Sequence, residues 1–304
     1  MTRKPAGGSE LLRLGLSKYT TIDSREINII LSKADYSQVE FSKKNVLWQH
    51  GSYSNEFSSG MSDKSFMKAI DATVYVSHWQ YEKFRYLFQV PTENAFIIKN
   101  AIEPIEFKEK PKDKIKLIYT STPFRGLELL LDSFEALGRD DVELDVYSSS
   151  IIYGNGFEKY VGSSFDALFE RAANTKRVNY HGYAENSEVK KALQEAHIFA
   201  YPSVFEETAC LSMIEAGAAG LSMVTTDIGA LPETGSMYVN MIPIQSDEKT
   251  LRQNYTKALN DSIDSYWNTP VQDKLKEQSE FFNKYYNWET RAKQWEQLFD
   301  SLED

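Results

Sequence analysis

An α/β protein built as two parallel-sheet units in series is what this sequence predicts, on three observations. Its 304 residues correspond to two domains at roughly 150 residues each. Short β-branched and aromatic runs alternate with segments of helical spacing, as a parallel sheet with crossover helices requires. The alternation breaks once, at Ile105–Lys116. There IEFKEKPKDKIK is charged, follows Pro104 and contains Pro111, and reads as a linker or domain boundary.

Before the linker, Glu26–Leu31, Asn45–Trp48, Ala72–Ser77 and Ala95–Lys99 have strand composition and stop at polar residues. Helical spacing covers Ser9–Lys18, Asp63–Ile70 (with Ser62 or Asp63 as cap) and His78–Phe88. After the linker, strands are predicted at Lys116–Thr120, Glu143–Tyr147, Val178–His181, Ile198–Tyr201 and Met223–Thr226. Helices are predicted at Gly126–Leu137, Ser164–Ala173, Ser187–Glu195 and Ala209–Ala219, with two more near the C-terminus. The near-continuous apolar character of Ile198–Tyr201 fits a strand covered on both faces.

Composition narrows the function classes. Hydrophobic residues make up 41% and aromatics 13%, enough for a packed core. The single cysteine, Cys210, rules out an internal disulfide framework and a cysteine-only zinc site. No apolar run reaches the roughly 18 residues of a membrane span, and MTRKPAGGSE lacks a secretory hydrophobic region, so a cytoplasmic protein is expected. The net charge of -10 argues against a uniformly basic nucleic-acid coat. It is unevenly placed: residues 1–105 balance to +2 and residues 106–304 to -12, so a phosphate-bearing partner of the first unit stays open.

Common phosphate and metal motifs are absent. Gly154-Asn155-Gly156 lacks the third glycine of a dinucleotide fingerprint, and no nucleoside-triphosphatase loop occurs. His50, His78, His181 and His197 never fall at paired metal-ligand spacing. Asp141-Val142-Glu143 reads as a solvated strand end rather than an acidic metal pair.

The informative stretch is Tyr201–Gly235. Glu207 and Glu215 stand eight apart, so a strand-end loop and the following helix can present both carboxylates to the cleft at the strand's C-terminal end. A carboxylate suits ribose and sugar diols because it accepts two hydroxyl hydrogen bonds. The Thr208–Cys210 amides at the helix N-terminus would favour phosphate.

This stretch resembles glycosyltransferase family 4 in its order of features. Pro202-Ser203 ends the strand, Glu207 and Glu215 form E-x7-E, Ala216–Gly220 is a small-residue helix, and Thr226-Asp227-Ile228-Gly229-Ala230-Leu231-Pro232-Glu233 follows. The resemblance extends to Val76-Ser77-His78-Trp79 and to Ile98-Lys99-Asn100-Ala101-Ile102 with Phe107, where Ala101 replaces the usual glycine. It also extends to Leu117–Leu131, Val178–Tyr183 and the tail Tyr286–Phe299. It covers most of residues 45–300. Gly7-Gly8-Ser9-Glu10 resembles the family's glycine-rich loop, without the strand that normally precedes it.

The resemblance implies a GT-B-like architecture: two Rossmann-like βαβ domains facing a cleft, the N-terminal one reduced. Residues 1–105 would be the acceptor side and 106–285 the nucleotide-sugar donor side. Residues 286–304 would be a C-terminal helix able to pack back on the first domain. It implies a retaining glycosyltransferase that uses no catalytic metal and no cofactor, with a UDP- or GDP-linked sugar as co-substrate. Glu207, His50 and Arg125 are the implied catalytic residues. Arg125 and Ser121 or Thr122 fill the two places where the family commonly has lysine and arginine. Donor binding falls to Glu215 (ribose), Arg125, Gly7, Gly8, Ser121, Thr122, and the Thr208, Ala209, Cys210 and Leu211 amides. Cys210 reads as a small buried residue rather than a nucleophile. The acceptor is left among glycan, lipid-linked sugar, small molecule and modified DNA base. The alternative is a non-catalytic protein that binds nucleotide sugars or serves a partner enzyme.

Overall fold

The computed structural model describes residues 7–150 and 164–303. Gly154-Asn155-Gly156 lies outside them. The first unit opens with helix α1 (Gly8–Tyr19), followed by strands β1 (Ile27–Leu31) and β2 (Lys44–Gln49). Helix α2 (Lys64–Lys68), β3 (Ala72–Tyr75), α3 (His78–Phe88) and β4 (Ala95–Ile97) complete it. Its four strands are parallel, in the order β1-β2-β3-β4, with Ile29 opposite Val46 and Trp48 opposite Val74. Alternation sorts the side chains. Val46, Trp48, Ala72 and Val74 pack with Leu12 and Leu16 of α1, whereas Leu47 and Tyr75 pack with Phe66 and Phe84 from α2 and α3. Asp63 caps α2 by accepting from the Ser65 and Phe66 amides.

The second unit is a six-stranded parallel sheet, in the order β10-β9-β8-β5-β6-β7. Its strands are β5 (Ile115–Thr120), β6 (Val142–Tyr147), β7 (Val178–Tyr180), β8 (Ile198–Tyr201), β9 (Ser222–Thr226) and β10 (Val239–Ile242). The helices are α4 (Leu127–Leu137), α5 (Asp166–Asn174), α6 (Asn186–Glu195), α7 (Leu211–Ala218) and α8 (Leu231–Gly235). A C-terminal run adds α9 (Glu248–Ser265), α10 (Thr269–Tyr285) and α11 (Trp288–Glu303). Every residue of β8 is buried, which is why its sequence is continuously apolar. Asp141 pairs with Arg139 and Glu143 with Lys114 at the opening of β6.

The charged segment at 105–116 runs between the two sheets with no regular structure before Ile115, and part of it is buried. Ile105 and Lys110 are buried, and β5 already begins at Ile115. Lys110 Nζ donates to the Leu193, Gln194 and Ala219 carbonyls at 3.1, 2.9 and 3.1 Å, so an apparent surface charge ties the C-terminal ends of α6 and α7 together. Two expectations are corrected, the start of one helix and the number of helices that close the chain. The helix expected from Ala209 begins at Leu211, because Cys210 is extended (φ -88°, ψ 101°). Three helices follow residue 247 rather than two, and β10 and α8 have no counterpart among the predicted elements. Helix α11 leaves the second unit: Trp288, Trp295, Leu298 and Phe299 join the α1 face of the first sheet.

Candidate functional site

The C-terminal ends of β2 and β8 meet through side chains whose backbones are fixed locally. Gly126 ends the turn before α4 at φ +116°, and a Cβ there would lie 2.1 Å from the Pro202 carbonyl oxygen. Gly229 stands at φ +65° with its missing Cβ 2.6 Å from both the backbone N and O of Glu207. The Ala230 amide donates to that same Glu207 carbonyl at 2.7 Å. The loop after β9 therefore cradles the Glu207 backbone, and only glycine allows so close an approach.

Glu207 is 3% exposed. Both carboxylate oxygens accept from Arg125 Nη1, at 2.9 and 3.1 Å, and Tyr201 Oη donates to one of them. Phe124 and Phe205 flank the guanidinium at 5.7 and 4.9 Å from their ring centres. Burial raises the Tyr201 phenol well above its ordinary range, so it is a proton donor at neutral pH. Ser121 Oγ lies 3.4 Å from Tyr201 Oη. Thr122 is buried and its hydroxyl makes no hydrogen bond among the described residues, although its carbonyl accepts from Tyr119 Oη at 2.6 Å.

His50 leaves β2 toward the second unit. Its carbonyl accepts from Thr208 Oγ1 at 2.8 Å, and the Thr208 carbonyl accepts from Ser77 Oγ at 2.6 Å. Its ring lies 4.6 Å from that of Trp48. Burial lowers the imidazole to about 3, so it is neutral at physiological pH. Nδ1 is 3.4 Å from Ser32 Oγ, and Nε2 is buried without a hydrogen bond among the described residues.

Two helix N-termini come together beside these groups. Gly7 and Cys210 are the N-cap positions of α1 and α7, and neither receives a side-chain cap among the described residues. A Cβ on Gly8 would lie 2.9 Å from Leu211 Cδ1, so the first turns of the two helices touch. Cys210 is buried and free, and burial pushes its thiol up, which removes it as a nucleophile. Glu215, one turn into α7, lines a cleft of about 230 Å³ with Leu11, Leu14, Lys18, Glu103, Asn186 and Lys190 among others. Burial raises the Glu215 carboxyl above its usual range, against the pull of Lys190 and Asn186.

The structure thus joins Arg125 to Glu207, His50 to Thr208, and Gly8 to Leu211. Glu207 and Glu215 do not share one open wall: Glu207 is enclosed and Glu215 faces the α1 cleft. Sequence reasoning missed Tyr201 as a partner of Glu207. It also missed Tyr53, whose hydroxyl donates to Glu206 at 2.7 Å. Glu233, in the sequence only a motif residue, accepts from the His78 and Trp79 amides (2.9 Å each) and from Lys99, capping α3 from the other unit. Burial works against its ionisation, but the Lys99 and amide hydrogen bonds outweigh it and hold the carboxyl at about 2. No local pattern marks the Tyr53–Glu206 and Glu233 pairings, because each joins residues far apart in the chain, whereas Tyr201 and Glu207 stand six apart around the end of β8.

Among the described residues, no group of three or more His, Cys, Asp or Glu could hold a metal ion, and no helix is long and apolar enough to cross a membrane.

Residues 116–261 match the family model described as glycosyl transferases group 1. A human relative, named as one of the subunits of phosphatidylinositol N-acetylglucosaminyltransferase, is 25% identical over 69% of this chain and 42% of its own length. The GPI3 subunit of the Saccharomyces cerevisiae enzyme is 23% identical over 77% of this chain and 51% of its own. The chain therefore spans about half the length of these curated relatives, or less. Among solved structures, the pneumococcal O-GlcNAc transferase GtfA in complex with UDP and GlcNAc has a TM-score of 0.68 at 13% identity, over 97% of this chain and 60% of that one. A Thermosynechococcus elongatus sucrose-phosphate synthase has a TM-score of 0.67 at 15% identity, over 96% and 78%. A glycosyltransferase from Rickettsia africae has 0.66 at 13% identity, over 99% and 84%. The chain has a GT-B-like fold, and residues 116–261 resemble the glycosyl transferases group 1 domain.

Proposed function

We propose that the protein is a retaining, metal-independent glycosyltransferase that moves a sugar from a UDP- or GDP-linked donor to a hydroxyl acceptor. The observation that carries this reading is the meeting of two uncapped helix N-termini, α1 at Gly8 and α7 at Leu211, beside Arg125 and Glu207. Unpaired amides and aligned dipoles there favour a diphosphate. In the reaction the bond between the anomeric carbon and the diphosphate oxygen breaks, the acceptor oxygen bonds to that carbon, and the acceptor proton leaves with the diphosphate. Negative charge grows on the diphosphate, where preorganised donors lower the barrier most.

The amides of Gly8 and of Thr208–Leu211, Arg125 and the hydroxyls of Ser121 and Thr122 would meet that charge. The Thr122 hydroxyl fits the role because it has no partner among the described residues. Glu207 would face the sugar and steady its oxocarbenium-like state, and Arg125 and Tyr201 hold its orientation. Neutral His50 would offer Nε2 to a sugar or acceptor hydroxyl. Glu215 would accept the ribose hydroxyls. Residues 1–105 would recognise the acceptor. The relatives named for phosphatidylinositol add an inositol lipid to the glycans, small molecules and DNA bases to be tried. A cytoplasmic location goes with this reading.

A non-catalytic nucleotide-sugar binder, serving as the partner of another enzyme, is the second reading. It is favoured by the engagement of Arg125 with Glu207 and by the relatives' names as subunits. Labelled UDP- and GDP-sugars, assayed for hydrolysis and for transfer to an acceptor panel, separate the two. Turnover abolished by Glu207→Ala and by Arg125→Ala supports the enzyme. Nucleotide binding with no turnover of any donor supports the binder.

A further inference from the structure

The α1 cleft holds a carboxylate whose surroundings are more specific than a lone glutamate on a helix. Glu215 reaches the cleft from α7, and Asn186 and Lys190 reach it from α6. These two residues are four apart, so they project from one face of that helix. Asn186 Nδ2 donates to Glu215 Oε1 at 3.3 Å. Oε2 makes no hydrogen bond among the described residues. A carboxylate oxygen has two acceptor sites, so Oε1 keeps one and Oε2 keeps both. Lys190 makes no ion pair among the described residues, yet its charge acts on both Glu215 and Glu103. Lys18 and Glu103, which pair with each other at 2.6 Å, also line the cleft. Leu11 and Leu14 of α1, 38% and 65% exposed, give it an apolar edge.

We propose that Asn186 and Lys190 are positioning residues for ribose recognition: Asn186 fixes one oxygen of Glu215, Lys190 supplies the balancing charge, and the free acceptor sites take the 2′- and 3′-hydroxyls of a nucleoside diphosphate. This rests on the reading that Glu215 binds ribose. The amide stops the carboxylate from rotating away, and the ammonium offsets the cost of a negative charge in a half-buried cleft. Neither residue touches the nucleotide. Their effect is confined to how well one carboxylate accepts two hydroxyls.

The test is calorimetric titration of the full chain with uridine and guanosine diphosphates and with their 2′-deoxy counterparts. A hydrogen bond to a charged group corresponds to about tenfold or more in affinity, so the wild type should prefer one ribonucleotide over its deoxy form by about that factor. Asn186→Ala and Lys190→Met should bring the preference below about threefold while leaving the deoxy affinity within about twofold. Lys190→Arg should restore it, and melting temperatures show that each variant is folded. A preference retained in both variants overturns the inference and leaves the ribose reading of Glu215 intact. Equal loss of affinity for both nucleotides also overturns it, since a merely structural role acts that way. A wild type without preference, or with no nucleotide binding, overturns the ribose reading and the inference with it.

Discussion

Replacing Arg125 by methionine strands the carboxylate of Glu207, which is 3% exposed and would keep only the Tyr201 hydroxyl as a side-chain partner among the described residues. Breaking a buried ion pair from one side costs about 3–5 kcal/mol. The stranded group can escape by taking a proton, and that route sets a ceiling. Protonating a glutamate of reference pKa about 4.3 costs about 1.36 kcal/mol per pH unit, so about 3.7 kcal/mol at pH 7 and about 1 kcal/mol at pH 5. The loss caused by Arg125→Met should therefore shrink by about 2–2.7 kcal/mol between pH 7 and pH 5. Adding Glu207→Gln removes the stranded charge, so the double variant should be more stable than Arg125→Met alone at pH 7. Urea denaturation of the three proteins at both pH values measures this. A loss below about 1 kcal/mol at pH 7, or one that does not depend on pH, would refute the reasoning.

Three further outcomes follow from the same geometry. Gly229→Ala places a methyl 2.6 Å from the Glu207 backbone at φ +65°. It should cost about 2–4 kcal/mol from left-handed strain and overpacking, read as a lower denaturation midpoint together with weakened donor turnover. Glu233→Ala removes the acceptor of the first two α3 amides, leaving only the Ser77 cap on Gln80, and strands Lys99. A loss of about 1–3 kcal/mol is expected, with faster hydrogen exchange at the His78 and Trp79 amides; unchanged exchange would contradict the cap. For His50 the folded imidazole sits at about 3, below its ordinary value of 6.5. The unfolded chain then binds the extra proton between those values, so stability rises with pH across that window. His50→Gln should flatten the acid limb by up to about 1.4 kcal/mol per pH unit there, with no effect above pH 7. The activity profile should carry no His50 inflection between pH 5 and 8.

The sequence shows the alternating strands and helices because each buries one face at its own period. The strand Ile198–Tyr201 and the helix His78–Phe88 are legible to the residue. Edges differ where polar caps and turns compete. Strand β10 escapes a sequence reading because Val239–Ile242 is short and follows closely on α8. Within the 105–116 segment, the burial of Lys110 is hidden for a different reason. Lysine is normally solvated, and only the carbonyls at the ends of α6 and α7 make a buried home for Lys110.

At the candidate site the residues of the Tyr201–Gly235 stretch are legible as a set, since a strand end, two carboxylates and a glycine loop stand at fixed spacing along the chain. What the sequence by itself determined is therefore which side chains and helix starts are available, and that two parallel sheets follow one another. Only the tertiary structure decided which of them meet. Arg125 reaches Glu207 across 82 positions, Thr208 reaches His50 across 158, and Glu233 reaches the start of α3 across 155. The physical reason is that ion pairing, helix capping and burial depend on distance in space. The packing of α11 and α1 on the first sheet and the close approach of Gly8 to Leu211 set those distances.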